Sequence, residues 1–362
     1  MSRIRVVDSQ GLGVAVLEGE EALALAVRPV PSEDATRRAL RWIDLEAPHE
    51  ESVQHLGRAF GFHPLTLEDC LHFDQRPKLE EYPGADPYLF VVIHNFEELD
   101  RVRRGEVARV ERGVVMPAEE LELDLGETTG KAVYARELHA FLGRGYLVTV
   151  HQQPIAALEL VLRRVKDDPA LLSRGADFLY YLLADALCDS NFPVLERLND
   201  SLDDIEEAIL SQPAKTHLHH TYLLRKVLVQ MRKVLSPQRD VLAVMTRMGG
   251  NTCIAASNAA YFRDVHDHLV RITESIESGR DLLGNCVDAY LSAVGQRTNE
   301  IMKQLTILSA MMLPLSFLSG FFGMNFEQLP FKSPVAFAGC MVLMFVLVPG
   351  GMLIWFRRSG WL

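Results

Sequence analysis

Phe322-Gly323-Met324-Asn325-Phe326 lies at the junction of two long uncharged apolar runs, and that arrangement decides the architecture. The first run extends from Gln304 to Phe326, with Lys303 and Glu327 as its nearest charges. The second extends from Ser333 to Phe356, between Lys332 and Arg357. As α-helices rising ~1.5 Å per residue, each covers roughly 30–35 Å, enough to cross a hydrocarbon core of ~30 Å. The few residues from Glu327 to Lys332 suffice for a tight turn. The pattern predicts a membrane hairpin: a first span over 301–325 that ends in Gly-Met-Asn, an external loop over 326–332, a second span over 333–356 and a basic tail over 357–362.

The orientation follows from charge. Arg297 and Lys303 precede the first span and Arg357 and Arg358 follow the second, so both termini are expected in the cytoplasm of a cell with this protein in its inner membrane. The 362-residue chain carries a net charge of −11, and residues 301–362 hold Glu327 as their one acid, so the acidic excess lies in the body. An acidic body argues against nucleic acid and is compatible with cations. Cys70, Cys188, Cys253, Cys286 and Cys340 are scattered, with no CxxC pair, which suits a reducing compartment. The first residues lack the apolar core of an export signal.

Outside the hairpin the expectation is an α+β chain. Residues 1–165 mix helix signals with short strand-like runs at Ile4–Val7, Gly13–Leu17, Tyr88–Ile93 and Tyr146–Val150, and read as a cytoplasmic α/β domain. Helices are expected from Glu50 to near Gly61 and over Leu65–His72. Residues 166–250 read as a helical hairpin region, with one helix from Phe178 to Leu210 and a second from about Lys215 that stops near Pro237. A stalk helix over 251–300 begins near Asn258, with no convincing stop before Pro314, and continues into the first span.

Counting back from the turn in steps of four and three gives Gly320, Ser316, Leu313, Ser309, Thr306, Met302 and Asn299, then Gly295, Ser292, Asp288, Asn285 and Asp281. This stripe is small and polar. One explanation is close helix packing, which favours Gly and Ser in membranes. The other is a wet path, because a dry seam would not continue through two aspartates and two asparagines. Several copies around an axis would then form polar rings with apolar collars at Met302 and Leu313. A ring of Asn325 amides at the mouth suits Mg²⁺, which gives up its water reluctantly, and amides hold it less tightly than carboxylates do.

In this context the residues resemble the CorA family of magnesium transporters. The resemblance rests on Phe322–Phe326 followed by Leu329-Pro330, on Thr298–Lys303 and Met312–Phe317, on Tyr261-Phe262-Arg263-Asp264-Val265, and on Asp74-Gln75-Arg76-Pro77-Lys78. Phe322 stands where the family commonly has Tyr. The resemblance implies a funnel-shaped homopentamer in membrane lipid, with no further obligate protein partner, that admits Mg²⁺, with Co²⁺ as a further candidate cargo. It implies a selectivity filter at Gly323, Met324 and Asn325. A hydrophobic constriction is implied at Met302, Leu305 and Leu313, with Thr306 and Ser316 as polar rings and Asn299 and Asp288 towards the inner end. It also implies closure by cytosolic Mg²⁺ bound between subunits, with Asp264 as one ligand and a partner among Glu97, Glu98 and Asp100.

Transport of Zn²⁺, Co²⁺ or Ni²⁺ on the same scaffold is the alternative. His217, His219, His220, His266 and His268 do not by themselves complete a ligand set. A membrane-anchored sensor would not need the polar stripe. No nucleophile–base constellation and no GxxxxGK[ST] loop supports an enzyme.

Overall fold

In a computed structural model, residues 3–10, 13–27, 40–100, 123–124, 131–324 and 333–361 are described. The chain divides into two compact units: Met1–Ala208 with Ala214–Cys286, and Ile209–Pro213 with Val287–Leu362. The division falls inside the expected stalk, after Cys286.

The first unit is built on an 8-stranded sheet. Its strands are β1 (Arg3–Gln10), β2 (Gly13–Glu18), β3 (Arg41–Glu46), β4 (Lys78–Tyr82), β5 (Tyr88–Asp100), β6 (Leu123–Asp124), β7 (Lys131–Gly143) and β8 (Tyr146–His151). They run in the order β2-β1-β3-β8-β7-β5-β4, with β6 also pairing β7. Only the β3–β8 pair is parallel. One face is packed by α1 (Glu20–Ala26), α2 (Glu50–Phe60) and α3 (Pro64–Asp69), where Phe62, Phe90, Phe141 and Tyr88 form an aromatic cluster. Gly61 closes α2 with φ 69°, a left-handed conformation that a side chain would strain.

All four expected strands are present. β3 and β7 were not legible, because their charged residues point inward and disguise the pattern. In β3, Asp44 takes hydrogen bonds from Arg5 Nη2 (2.7 Å), Thr149 Oγ1 (2.6 Å) and His151 Nε2 (3.2 Å), all buried. His151 Nδ1 meets the Gln153 carbonyl at 2.6 Å. A carbonyl and a carboxylate both accept, so this arrangement favours the protonated imidazole. Burial alone would raise the Asp44 pKa; the charge and hydrogen bond of His151, with Arg5 and Thr149, override it and hold it at about 2. Burial would lower the His151 pKa, and Asp44 instead raises it.

This pair sets a pH window. The Asp44 contribution is present above its unfolded pKa and is lost as pH falls towards about 2. The His151 contribution is present below its unfolded pKa and is lost as pH rises through the raised folded value. Hydrogen exchange of the β3 amides, corrected for intrinsic rates, should therefore show protection declining on the alkaline side. His151→Gln should flatten that decline, and Asp44→Asn should lower protection by about 3 kcal/mol at neutral pH. Unchanged protection in Asp44→Asn would show the network to be dispensable.

Beyond Val92 the β4-side edge of β5 has no strand partner: His94 N donates to Gln238 Oε1 (2.7 Å) and Phe96 N to Asn191 Oδ1 (3.0 Å). These side chains belong to the helical part of the unit, which comprises α4 (Ala156–Asp167), α5 (Ala176–Asp189), α6 (Asn191–Ser211), α7 (Lys215–Arg247) and the start of α8 (Ala259–Phe322).

Two helix expectations need correction. The helix expected from Phe178 to Leu210 breaks at Ser190, where Asn191 Nδ2 donates to the carbonyls of Leu187 and Cys188 (3.0 Å each) and ends α5. Conversely, α7 runs through Pro237, whereas α8 runs through Pro314 to Phe322 as the expected first span does. A proline in a helix interior costs ~3 kcal/mol, and in α7 burial of Leu235, Gln238, Val241 and Leu242 around it outweighs that cost.

The start of α8 is fixed from α5. Asp177, itself buried, accepts from Ala255 N and Asn258 Nδ2, both at 2.8 Å. From there Phe262, Val265, Leu269, Ile272, Ile276, Leu283 and Cys286 form a buried stripe at helical spacing. Gly279 falls on that stripe, where a Cβ would lie 3.1 Å from Leu228 and 3.3 Å from Leu202, so a side chain there would push α7 and α6 away.

In the second unit, the second span was expected as one helix. It consists of α9 (Pro334–Val342), a π-helical turn over Leu343–Leu347 and α10 (Val348–Arg358).

Candidate functional site: a polar helix stripe and a carboxylate–histidine cluster

Among the described residues, two helices are long and apolar enough to cross a membrane, Ala256–Phe321 and Phe337–Arg358. The polar stripe lies on the first. Asp288, Asn299, Met302, Leu305, Thr306, Ser309, Leu313, Ser316 and Gly320 are all on α8, and each is exposed in the single chain. Exposure is not confined to the stripe, since Phe317 is as open as Leu313, but Ile307, Met311, Pro314 and Leu318 on another face are half-buried. Burial separates the stripe from that face, and the stepping separates it from Phe317. A shallow open hollow follows it through Ser309, Leu313 and Ser316 beside Pro314.

Thr306 Oγ1 donates to the Met302 carbonyl at 2.8 Å. Its one proton is used within the helix, and its oxygen lone pairs remain as acceptors. At the end of α8, Gly323 N still bonds Ser319 O (2.9 Å) and Met324 N bonds Phe321 O (3.3 Å). Gly323 lies in the turn just past the end of α8 and is not among the left-handed glycines. It supplies space instead, because a Cβ there would come within 3.1 Å of the Ser319 carbonyl oxygen. Asn325 and the loop to Lys332 lie outside the described residues.

The three proposed partners of Asp264 fare differently. Glu97 is buried, and its Oε1 accepts from Asn95 Nδ2 (3.0 Å) and from Ala156 N (3.1 Å), which caps α4. Glu98 is ion-paired with Arg197 of α6. Both carboxylates are thus engaged within the unit. Asp100 ends β5 opposite Lys131, and its side chain lies outside the described set.

Asp264 instead faces groups that the sequence reading missed. His268, one turn along α8, has Nε2 4.0 Å from Asp264 and Nδ1 3.3 Å from Asp189 and 4.0 Å from Asp185. Ligand atoms of Asp185, Asp189 and His268 lie within 4.8 Å of one another, and Nδ1 has no hydrogen-bond partner. Asp185 and Asp189 stand one turn apart on α5, so the cluster joins two helices. Burial, then the charge of Asp189, holds the Asp185 pKa above the usual carboxylate range; Asp264 adds to this and His268 offsets part of it.

A bound cation would favour the charged carboxylate and so offset both the burial and the neighbouring acids. The donors fit a divalent ion: oxygens and retained waters suit Mg²⁺, and the imidazole also accepts Co²⁺ or Zn²⁺. The sequence signal was Asp185-Ala-Leu-Cys-Asp189, an i, i+4 acidic pair in a helix that is apolar apart from Asp177 in its first turn.

Comparison with known proteins gives this geometry a context. The family profile described as "CorA-like Mg2+ transporter protein" matches residues 37–358. The chain is 32% identical over 329 residues to the cobalt/magnesium transport protein CorA of Thermotoga maritima, covering 89% of this chain and 83% of that protein. It is 27% identical over 269 residues to the zinc transport protein ZntB of Klebsiella pneumoniae, covering 72% and 77% of the two chains. Among solved structures, the CorA magnesium transporter of Methanocaldococcus jannaschii superposes with a TM-score of 0.73 at 22% identity, over 99% of this chain and 98% of that one. The fold, the two spans and a match of this extent have one reading: the chain belongs to the CorA-like family of divalent metal transporters.

Proposed function

We propose that this protein is a passive, gated channel for Mg²⁺ influx across the cytoplasmic membrane, working as a homopentamer with its first spans around the pore. The observation that carries this reading is the stripe of hydroxyls, amides and glycine on α8, broken by the apolar Met302 and Leu313, which leads towards Gly323-Met324-Asn325. Five such stripes around an axis give rings of oxygen acceptors, with Met302, Leu305 and Leu313 as apolar constrictions that close by excluding water. Asn325 meets the hydrated ion at the outer mouth. The membrane potential supplies ~2.3 kcal/mol per charge per 100 mV, doubled for a divalent ion, so no chemical energy source is needed.

Gating is assigned to cytosolic Mg²⁺ at Asp264. The clustering of Asp185, Asp189 and His268 beside it supports a cation there. The Asp264 side chain, 60% exposed, remains open to a ligand from a neighbouring copy. The ZntB relative and the imidazole of His268 favour a second reading, in which Zn²⁺, Co²⁺ or Ni²⁺ is the cargo.

Reconstitution tests both. Liposomes containing the purified chain should take up Mg²⁺ faster when the interior is made negative, and Co²⁺ should compete. If Zn²⁺ enters while Mg²⁺ neither enters nor competes, the second reading replaces the first.

A further inference from the structure

The second span carries a feature that neither its composition nor the transport reading calls for. Val348 N donates to the Leu343 carbonyl five residues back, where an α-helix would have it donate to Met344. The next residue, Pro349, has no N–H to offer Phe345. Two successive carbonyls, Met344 and Phe345, thereby lose their ordinary donors in the middle of an apolar span, where no water is at hand to replace them. Gly350 and Gly351 follow directly, and a Cβ at either would meet nothing within 4 Å inside the chain. Packing within the chain therefore does not require them.

Proline alone does not explain the wide turn, since α7 and α8 continue as α-helix through Pro237 and Pro314. What sets this place apart is a π turn followed by the three residues Pro-Gly-Gly, among the least helix-favouring there are. Wide turns and glycine pairs are where helices bend.

We propose that Leu343–Gly351 is a hinge that lets the inner half of the second span, Val348–Arg358, change direction relative to the outer half, Pro334–Val342, as the conduction path opens and closes. The coupling to opening rests on the transport reading; the bend itself does not.

The experiment uses full-length protein in liposomes, with its five cysteines replaced by alanine and spin labels at Phe337→Cys and Ile354→Cys. Labelled chains are diluted into unlabelled copies so that distances within one chain are read. The Phe337–Ile354 distance should shift between excess Mg²⁺ and EDTA. Gly350→Ala with Gly351→Ala strengthens the helix and should suppress that shift and slow Mg²⁺ uptake several-fold.

Deleting Val346 provides a sharper arm. A π turn holds one residue more than the α-helix it interrupts, so this deletion removes the turn and keeps both flanks in register, whereas deleting Ala338 turns one flank away from the other. The Val346 deletion should therefore assemble normally and lose the shift. A distance that is the same in Mg²⁺ and EDTA in the otherwise unaltered chain overturns the hinge. A distance that shifts in a chain carrying no Mg²⁺ leaves the hinge standing and overturns the transport reading.

Discussion

Asn325→Ala should reduce Mg²⁺ uptake into liposomes by more than about 100-fold while the oligomer forms as before. The reason is cumulative. Each amide oxygen that accepts from a water of the hydrated ion contributes about 1 kcal/mol, and in the proposed pentamer the substitution removes all five together. A loss of about 3 kcal/mol, well within that total, is already a factor of 100 or more in entry. Asn325→Asp offers a control of opposite character. Five carboxylates would bind the ion more tightly and release it more slowly, so the concentration for half-maximal uptake should fall together with the maximal rate. If Asn325→Ala conducts like the parent chain, the amides do not form the entrance.

The second large effect concerns closure. Asp264→Ala should raise the internal Mg²⁺ concentration needed to inhibit uptake by roughly 10-fold or more, the usual span of coupling between a regulatory ligand and a distant site. Asp185→Asn should act in the same direction, because it removes a ligand oxygen, yet by its own loss of charge it should relieve the repulsion that Asp189 and Asp264 impose in the absence of metal. A thermal shift separates these. Added Mg²⁺ should stabilise the parent chain, and the gain should shrink in both variants. Inhibition that is unaltered in Asp264→Ala would make that residue structural, and the cluster with Asp185, Asp189 and His268 would then have no part in gating.

The spans were legible because a bilayer imposes a length and an absence of charge that few other environments demand, and the order of domains followed from them. Strands β3 and β7 were hidden for the opposite reason. Asp44, His139 and Arg136 lie inside the fold, so residues that normally report solvent reported a buried polar network. A proline misled at Pro237, because a local rule cannot see the packing that overrides it.

The carboxylate–histidine cluster was half visible. Asp264 stood out through its resemblance to a family motif, and His268 was set aside because its partners Asp185 and Asp189 come from another helix. Contact between distant stretches of chain is what a periodicity cannot supply. The engagement of Glu97 as a cap for α4, and of Glu98 with Arg197, was equally invisible for the same reason.

One consequence of the Asp177 contacts remains. They tether Ala255 and Asn258, the residues that lead into α8, to α5, the same helix that presents Asp185 and Asp189 to His268. With its foot tied down, α8 cannot slide along its own axis past α5 at that end without breaking two buried bonds; what is left to it there is to pivot. A cation arriving at or leaving the carboxylates a few turns above the foot would then be read out as a tilt, a rotation whose fulcrum is already written into the first turn of α5.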